Sequence, residues 1–167
     1  RVVPFELDPD LPPALAPLAW LVGRWEGRGV LGYPGVDSVN FVQEIECRHD
    51  KQPFLSWSAR MWEVGDDGER GKPLATELGF WRPLPDNEVE LLLAHPTGVV
   101  EMYVGTTEPA KAQLQTDAVV RSPQAEEYTA ATRLYGYVHS NLMWAMDMAA
   151  KGQPLQTYAS AELQRAQ

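Results

Sequence analysis

The sequence predicts an all-β protein folded as one antiparallel barrel of eight to ten strands. Three observations carry this. Apolar and polar residues alternate with period two from Arg24 onward, turn signals break the alternation at short intervals, and no run keeps a helical period long enough for a βαβ crossover. Closing the sheet leaves no exposed edge, and a barrel of this size has an interior able to hold one small ligand.

The elements follow in order. Residues 4–17, "PFELDPDLPPALAP", are proline-rich and read as an extended lead-in or a broken helical turn, with the lead-in bounded at residues 1–17. "LAPLAWLVG" reads as one short helix, with Gly23 just past its end as a left-handed cap. The barrel domain is expected over 18–167. "SVNFVQEIECRH" places Val39, Phe41, Ile45 and Cys47 on one face, and "PFLSWSARMWEV" places Leu55, Trp57, Ala59 and Met61 together. "NEVELLLAHP", "GVVEMYVGTT", "AQLQTDAVV", "EYTAATRLYGYVHS" and "NLMWAMDMAA" continue the pattern, separated by "PLPDN", "HPTG", "SPQAEE" and "HSN". The tail "LQTYASAELQRAQ" is consistent with a helix or with a last strand that closes the barrel. The first strand carries "GRWEGRG". Gly23, Gly27 and Gly29 suit a point where chains approach closely, and Trp25 suits a plug at the end of the interior.

Composition narrows the function. A net charge of −9 argues against nucleic acid and anionic membranes. The single Cys47 cannot close an internal disulfide, which fits a reducing, cytoplasmic compartment. No apolar run reaches the roughly 20 residues of a spanning helix, so membrane insertion is not expected. A homodimer is compatible with the sequence.

Catalytic signatures are weak. His49, His95 and His139 fall at strand ends or turns and share no metal-ligand spacing, so no metal site is expected. Cys47 lies on an apolar face and reads as an inert thiol. The acidic pairs Glu44/Glu46, Asp66/Asp67 and Glu126/Glu127 read as solvated faces or loops, and no catalytic residue is assigned. "RLY" differs, because Arg133 and Tyr135 share a strand face and could together hold one carboxylate, by charge and by hydrogen bond.

Taken together, these motifs resemble the nitrobindin family, haem-binding relatives of the fatty-acid-binding, lipocalin-like (calycin) barrels. "GRWEGRG" matches the family's GxWxGxG residue for residue through Gly23, Trp25, Gly27 and Gly29. "KQPFLSWSARMW", "ELGFWRPLPDNEVELLLAHPTGVVEMYVG" and "MDMAAKGQPLQTYASAELQR" look like later family segments. The resemblance implies about ten strands and a wide cleft. It also implies an axial histidine on the closing strand, where the register set by Pro154, Leu155, Ala161, Leu163 and Arg165 places Tyr158. Two further haem-contacting positions align with Gly35 and Glu126, and an acidic Glu126 would repel haem propionates. The expectation is therefore a barrel that has lost its haem ligand, with no cofactor. Its partner would be a small hydrophobic, fatty-acid-like carboxylate, anchored by Arg133 and Tyr135 with Tyr158 on the cleft wall. The alternatives are a tyrosinate haem protein acting on nitric oxide or peroxynitrite, and a structural domain with a filled interior.

Overall fold

The computed structural model describes residues 6–166. Ten antiparallel strands form a closed barrel in sequence order: β1 (Gly23–Tyr33), β2 (Val36–Arg48), β3 (Leu55–Val64), β4 (Arg70–Pro83), β5 (Glu88–His95), β6 (Val99–Glu108), β7 (Lys111–Arg121), β8 (Tyr128–Val138), β9 (Asn141–Ala150) and β10 (Gln156–Ala166). The tail is thus a strand, and it shuts the barrel by pairing with β1, from Arg24 opposite Ala166 to Leu31 opposite Ala159.

A 3₁₀ helix, Pro13–Leu21, precedes the barrel. It begins four residues before the end of the expected lead-in. The reason lies in the spacing of Leu15, Leu18 and Leu21. A three-residue turn puts all three on one face, and all three are fully buried. Pro13 occupies the first turn, where its missing N–H costs nothing. Gly23 does not cap this helix. Val22 ends it in an extended conformation, and Gly23, at φ 138°, is the first residue of β1.

The helix covers one end of the barrel and reaches across to β4 and β6. Trp25 is fully buried beneath it and donates its indole N–H to the Leu21 carbonyl at 3.0 Å. The Arg165 guanidinium lies over the Trp25 ring at 4.2 Å and donates to the carbonyls of Trp20 and Val22. The cation therefore ties the last strand to the helix.

The glycines of β1 are explained by this closure. A side chain on Gly27 would overlap the Glu162 carbonyl and Leu163 of β10. One on Gly29 would strike the Ser160 carbonyl, Ala161 and the Phe41 ring. The small residues Gly29, Ala159 and Ala161 leave the space in which Phe41 of β2 stacks on Trp144 of β9, with centroids 6.1 Å apart. Trp144 also donates to the buried Gln43 side chain at 2.7 Å.

Gly27→Ala should cost about 1–3 kcal/mol, the usual penalty of overpacking. Gly136→Ala, whose new methyl would meet Val138 at 3.7 Å and the Ala110 carbonyl at 3.8 Å, both ordinary contacts, should change stability by less than about 0.5 kcal/mol. Urea denaturation of the two variants checks the contrast.

Candidate functional site

The end opposite the helix carries the turns β1–β2, β3–β4, β5–β6, β7–β8 and β9–β10. There the inward-facing side chains are only half buried. Val39, Met61, Leu74, Tyr128, Met148 and Tyr158 pack against the core yet remain partly open, and with the buried Glu101 and its partner His95 they mark the open end of the interior, the cleft. Nothing equivalent to the helix closes this end among the described residues.

Tyr158 owes its position to a bulge. Pairing of β10 with β9 passes from Thr157–Asp147 directly to Ala159–Met146, so Tyr158 is the extra residue. Bulges re-aim a side chain in this manner. The ring meets Tyr33 edge-on at 6.1 Å. Tyr33 is itself fixed, since its hydroxyl donates to the Met148 carbonyl at 2.8 Å and accepts from the Ala150 amide at 3.0 Å. Burial raises the Tyr158 pKa, and the charge of Arg133 works in the opposite direction.

Arg133 and Tyr135 come together as the sequence suggests, with the guanidinium donating to the Tyr135 hydroxyl at 2.9 Å. Arg133 is also bound in bidentate fashion by Glu77 of β4, at 2.9 and 3.0 Å, and donates to the Tyr103 hydroxyl at 3.1 Å. Its side chain is 7% exposed and that of Glu77 16%. Trp57 donates its indole N–H to the same Glu77 carboxylate at 2.9 Å. Burial alone would raise the Glu77 pKa, but the guanidinium outweighs it and holds the carboxyl below the ordinary range. Burial pushes Tyr135 up to about 12. Its ring also packs edge-on against Trp57 and Trp81.

A second buried carboxylate, Glu101 of β6, is 1% exposed. It accepts from Tyr128 at 2.7 Å and pairs with His95 at 2.8 Å, and an Arg133 nitrogen lies 3.6 Å away. Burial raises its pKa, but the His95 hydrogen bond, Arg133 and Tyr128 together bring it below the ordinary value.

Sequence reasoning missed Glu77 and Glu101. A usable signal was present, for both fall on the inward register of their strands, Glu77 with Gly79 and Trp81, and Glu101 with Val99 and Tyr103. The other candidates lie apart from this group of side chains. His49 pairs with Asp8 at 2.7 Å, and His139 sits in the β8–β9 turn. Cys47 is buried, its pKa raised by desolvation. Gly35, at φ 81°, makes the β1–β2 turn. Glu126 is exposed in the β7–β8 loop, 3.3 Å from the Lys151 amine, so the expected repulsion of an anion there is met by an adjacent cation. No cluster of His, Cys, Asp and Glu suited to a metal ion occurs among the described residues, and no described helix is long and apolar enough to cross a membrane.

A closed ten-stranded antiparallel barrel, plugged at one end by a short helix and half open at the other, defines the class of the fold. The chain belongs to the THAP4-like, haem-binding β-barrel family, whose model matches residues 14–165, and within it to the nitrobindin-like proteins. It is 45% identical to a ferric nitrobindin-like protein of Kineococcus radiotolerans, covering 95% of this chain and 97% of that one. It is 48% identical to a peroxynitrite isomerase of a Nocardioides species, over 98% and 99% of the two chains. The crystal structure of Rv2717c from M. tuberculosis superposes with a TM-score of 0.85 at 36% identity, covering 94% of this chain and 99% of that one.

The match corrects one expectation. The sequence reading anticipated no cofactor because Tyr158 replaces a histidine, but the family is that of a haem-binding barrel and relatives are named ferric nitrobindin-like, which points to haem. The residues of the cleft fit such a group. Its walls, Val39, Met61, Leu74 and Met148, are apolar and partly open, as a macrocycle requires, and an ionised phenol is an oxygen ligand suited to ferric iron.

Arg133→Met should cost about 3–5 kcal/mol, because Glu77 is left charged and buried without its partner. Adding Glu77→Gln should recover much of that loss in equilibrium denaturation. Glu77 and Glu101 both have folded pKa values below their unfolded ones. Their stabilisation is therefore fully present above the unfolded carboxylate pKa, about 4.3, and is lost as pH falls through the folded values. Glu101→Gln should flatten that acid limb.

Proposed function

We propose that the barrel holds ferric haem in the cleft at its open end, with the Tyr158 phenolate as the protein's ligand to the iron. One observation carries this reading. In a chain of a haem-binding family, the bulge in β10 directs Tyr158 into the half-open apolar part of the interior. Bound there, the iron supplies a Lewis-acidic ferric centre. The chain supplies the apolar walls, a phenol braced by Tyr33, and the positive charge of Arg133, which favours the ionised phenol. A phenolate favours ferric over ferrous iron, so the proposal is confined to the ferric state.

A fatty-acid-like carboxylate anchored on Arg133 and Tyr135 is the competing reading. It would contend with Glu77, which already holds both outer nitrogens of the guanidinium. This competition favours an occupant whose anionic groups stay in solvent.

Titration of the protein with ferric haem should give a stoichiometric Soret band. Tyr158→Phe should weaken binding by at least about tenfold, or 1.4 kcal/mol. The phenol is protonated when free and ionised when bound, so one proton leaves per haem, and affinity should rise about tenfold per pH unit below the phenol pKa. Equal binding by wild type and Tyr158→Phe, or no stoichiometric band with wild type, would overturn the assignment.

A further inference from the structure

The interior holds two buried carboxylates, and their partners differ in one chemical respect. Glu77 is held by a guanidinium and an indole, Arg133 and Trp57, neither of which gives up its proton in ordinary protein chemistry. Glu101 is held by an imidazole and a phenol, His95 and Tyr128, both of which can. The second set is arranged in series. His95 ends β5 at the open end of the barrel, with 19% of its side chain exposed to water. Glu101 lies behind it with 1% exposed. Tyr128 follows, half buried, in the cleft wall, and the Tyr103 hydroxyl is 3.4 Å beyond. Stability alone gives weak reason for such a row, since apolar residues of similar volume commonly replace a buried ionic group at no cost.

We propose that His95, Glu101 and Tyr128 form a proton relay from solvent into the cleft, where Tyr128 serves as general acid toward a bound oxyanion. The inference does not depend on which ligand occupies the cleft. In the resting state Glu101 is ionised and accepts from both neighbours. A proton from water binds His95 at Nδ1. The Nε2–H bond then breaks as a bond to Glu101 Oε1 forms, leaving His95 neutral. A half-turn of the carboxyl about its last torsion presents that proton to Tyr128, which receives it as its own hydroxyl proton passes to the oxyanion. The sum is one proton moved from solvent to the ligand, with no electron transferred. Glu101 and Tyr128 return to their starting states, and His95, left as its Nδ1–H tautomer, resets when the ring swings outward, loses that proton to water and takes one at Nε2. Burial keeps the Tyr128 phenol neutral, so it holds a proton to give at neutral pH.

The test needs no ligand. Exchange of the Tyr128 hydroxyl proton with water can be followed by NMR in tyrosine-labelled protein, with the resonance assigned by its loss in Tyr128→Phe. His95→Gln keeps a donor beside Glu101 but cannot shuttle a proton. It should slow the exchange by about tenfold or more. A resonance broadened away in wild type and visible in His95→Gln would count the same way. Glu101→Gln, which keeps a polar partner for His95 and Tyr128 but cannot pass a proton between them, should slow the exchange as well. An exchange rate unchanged in His95→Gln or in Glu101→Gln, or a resonance missing from wild type and both variants, would overturn the relay.

Discussion

The structure depends on how closely β10 approaches β1. Ten strands close only if the last can lie against the first, and here it passes over positions where even a methyl group would overlap its backbone. Gly27 and Gly29 are therefore requirements of closure, and the penalty of glycine in a strand is accepted for it. Closure pairs the first strand with the last and places Arg165 beside Trp25 and the helix carbonyls. One end of the barrel becomes a packed plug as a result. The space that remains lies at the other end, and this is why a cleft exists there.

Polar chemistry is distributed along the same axis. The plugged half contains leucines and aromatic rings. Midway sits the pair Glu77–Arg133, almost fully enclosed and joined to Tyr103, Tyr135 and Trp57. Toward the opening come Glu101, Tyr128 and His95, then Tyr158. Arg133 links these levels, because it binds one carboxylate at 2.9 Å, stands 3.6 Å from the other, and its charge acts on the Tyr158 phenol. Both outer nitrogens of this cation are already held by Glu77, which leaves an incoming carboxylate no free site for a bidentate contact.

The fold was legible because alternation and turn residues are local signals. Alternating glycines around a tryptophan are also a local signal, and Gly27 and Gly29 stand where β10 passes closest, with Trp25 buried beneath the helix. The helix boundary was less legible, since prolines argue against regular structure while Leu15, Leu18 and Leu21 argue for a three-residue turn, and burial decided the outcome. The site was legible only in part. Arg133 and Tyr135 could be paired because they are two residues apart on one strand. The partner that changes the meaning of Arg133 is Glu77, 56 residues earlier, and only barrel closure brings β4 opposite β8. Glu101 and Tyr128 are likewise 27 residues apart. The position of Tyr158 followed from motif alignment, whereas its inward orientation comes from a bulge that no local pattern announces.

The central claim is that a tyrosine, placed by that bulge, is the residue through which this barrel engages ferric iron. Resonance Raman spectroscopy of the ferric haem complex tests it directly. The account predicts enhanced phenolate modes that shift when the protein is made with ring-deuterated tyrosine. A complex without such modes, or with modes insensitive to the tyrosine label, would contradict it.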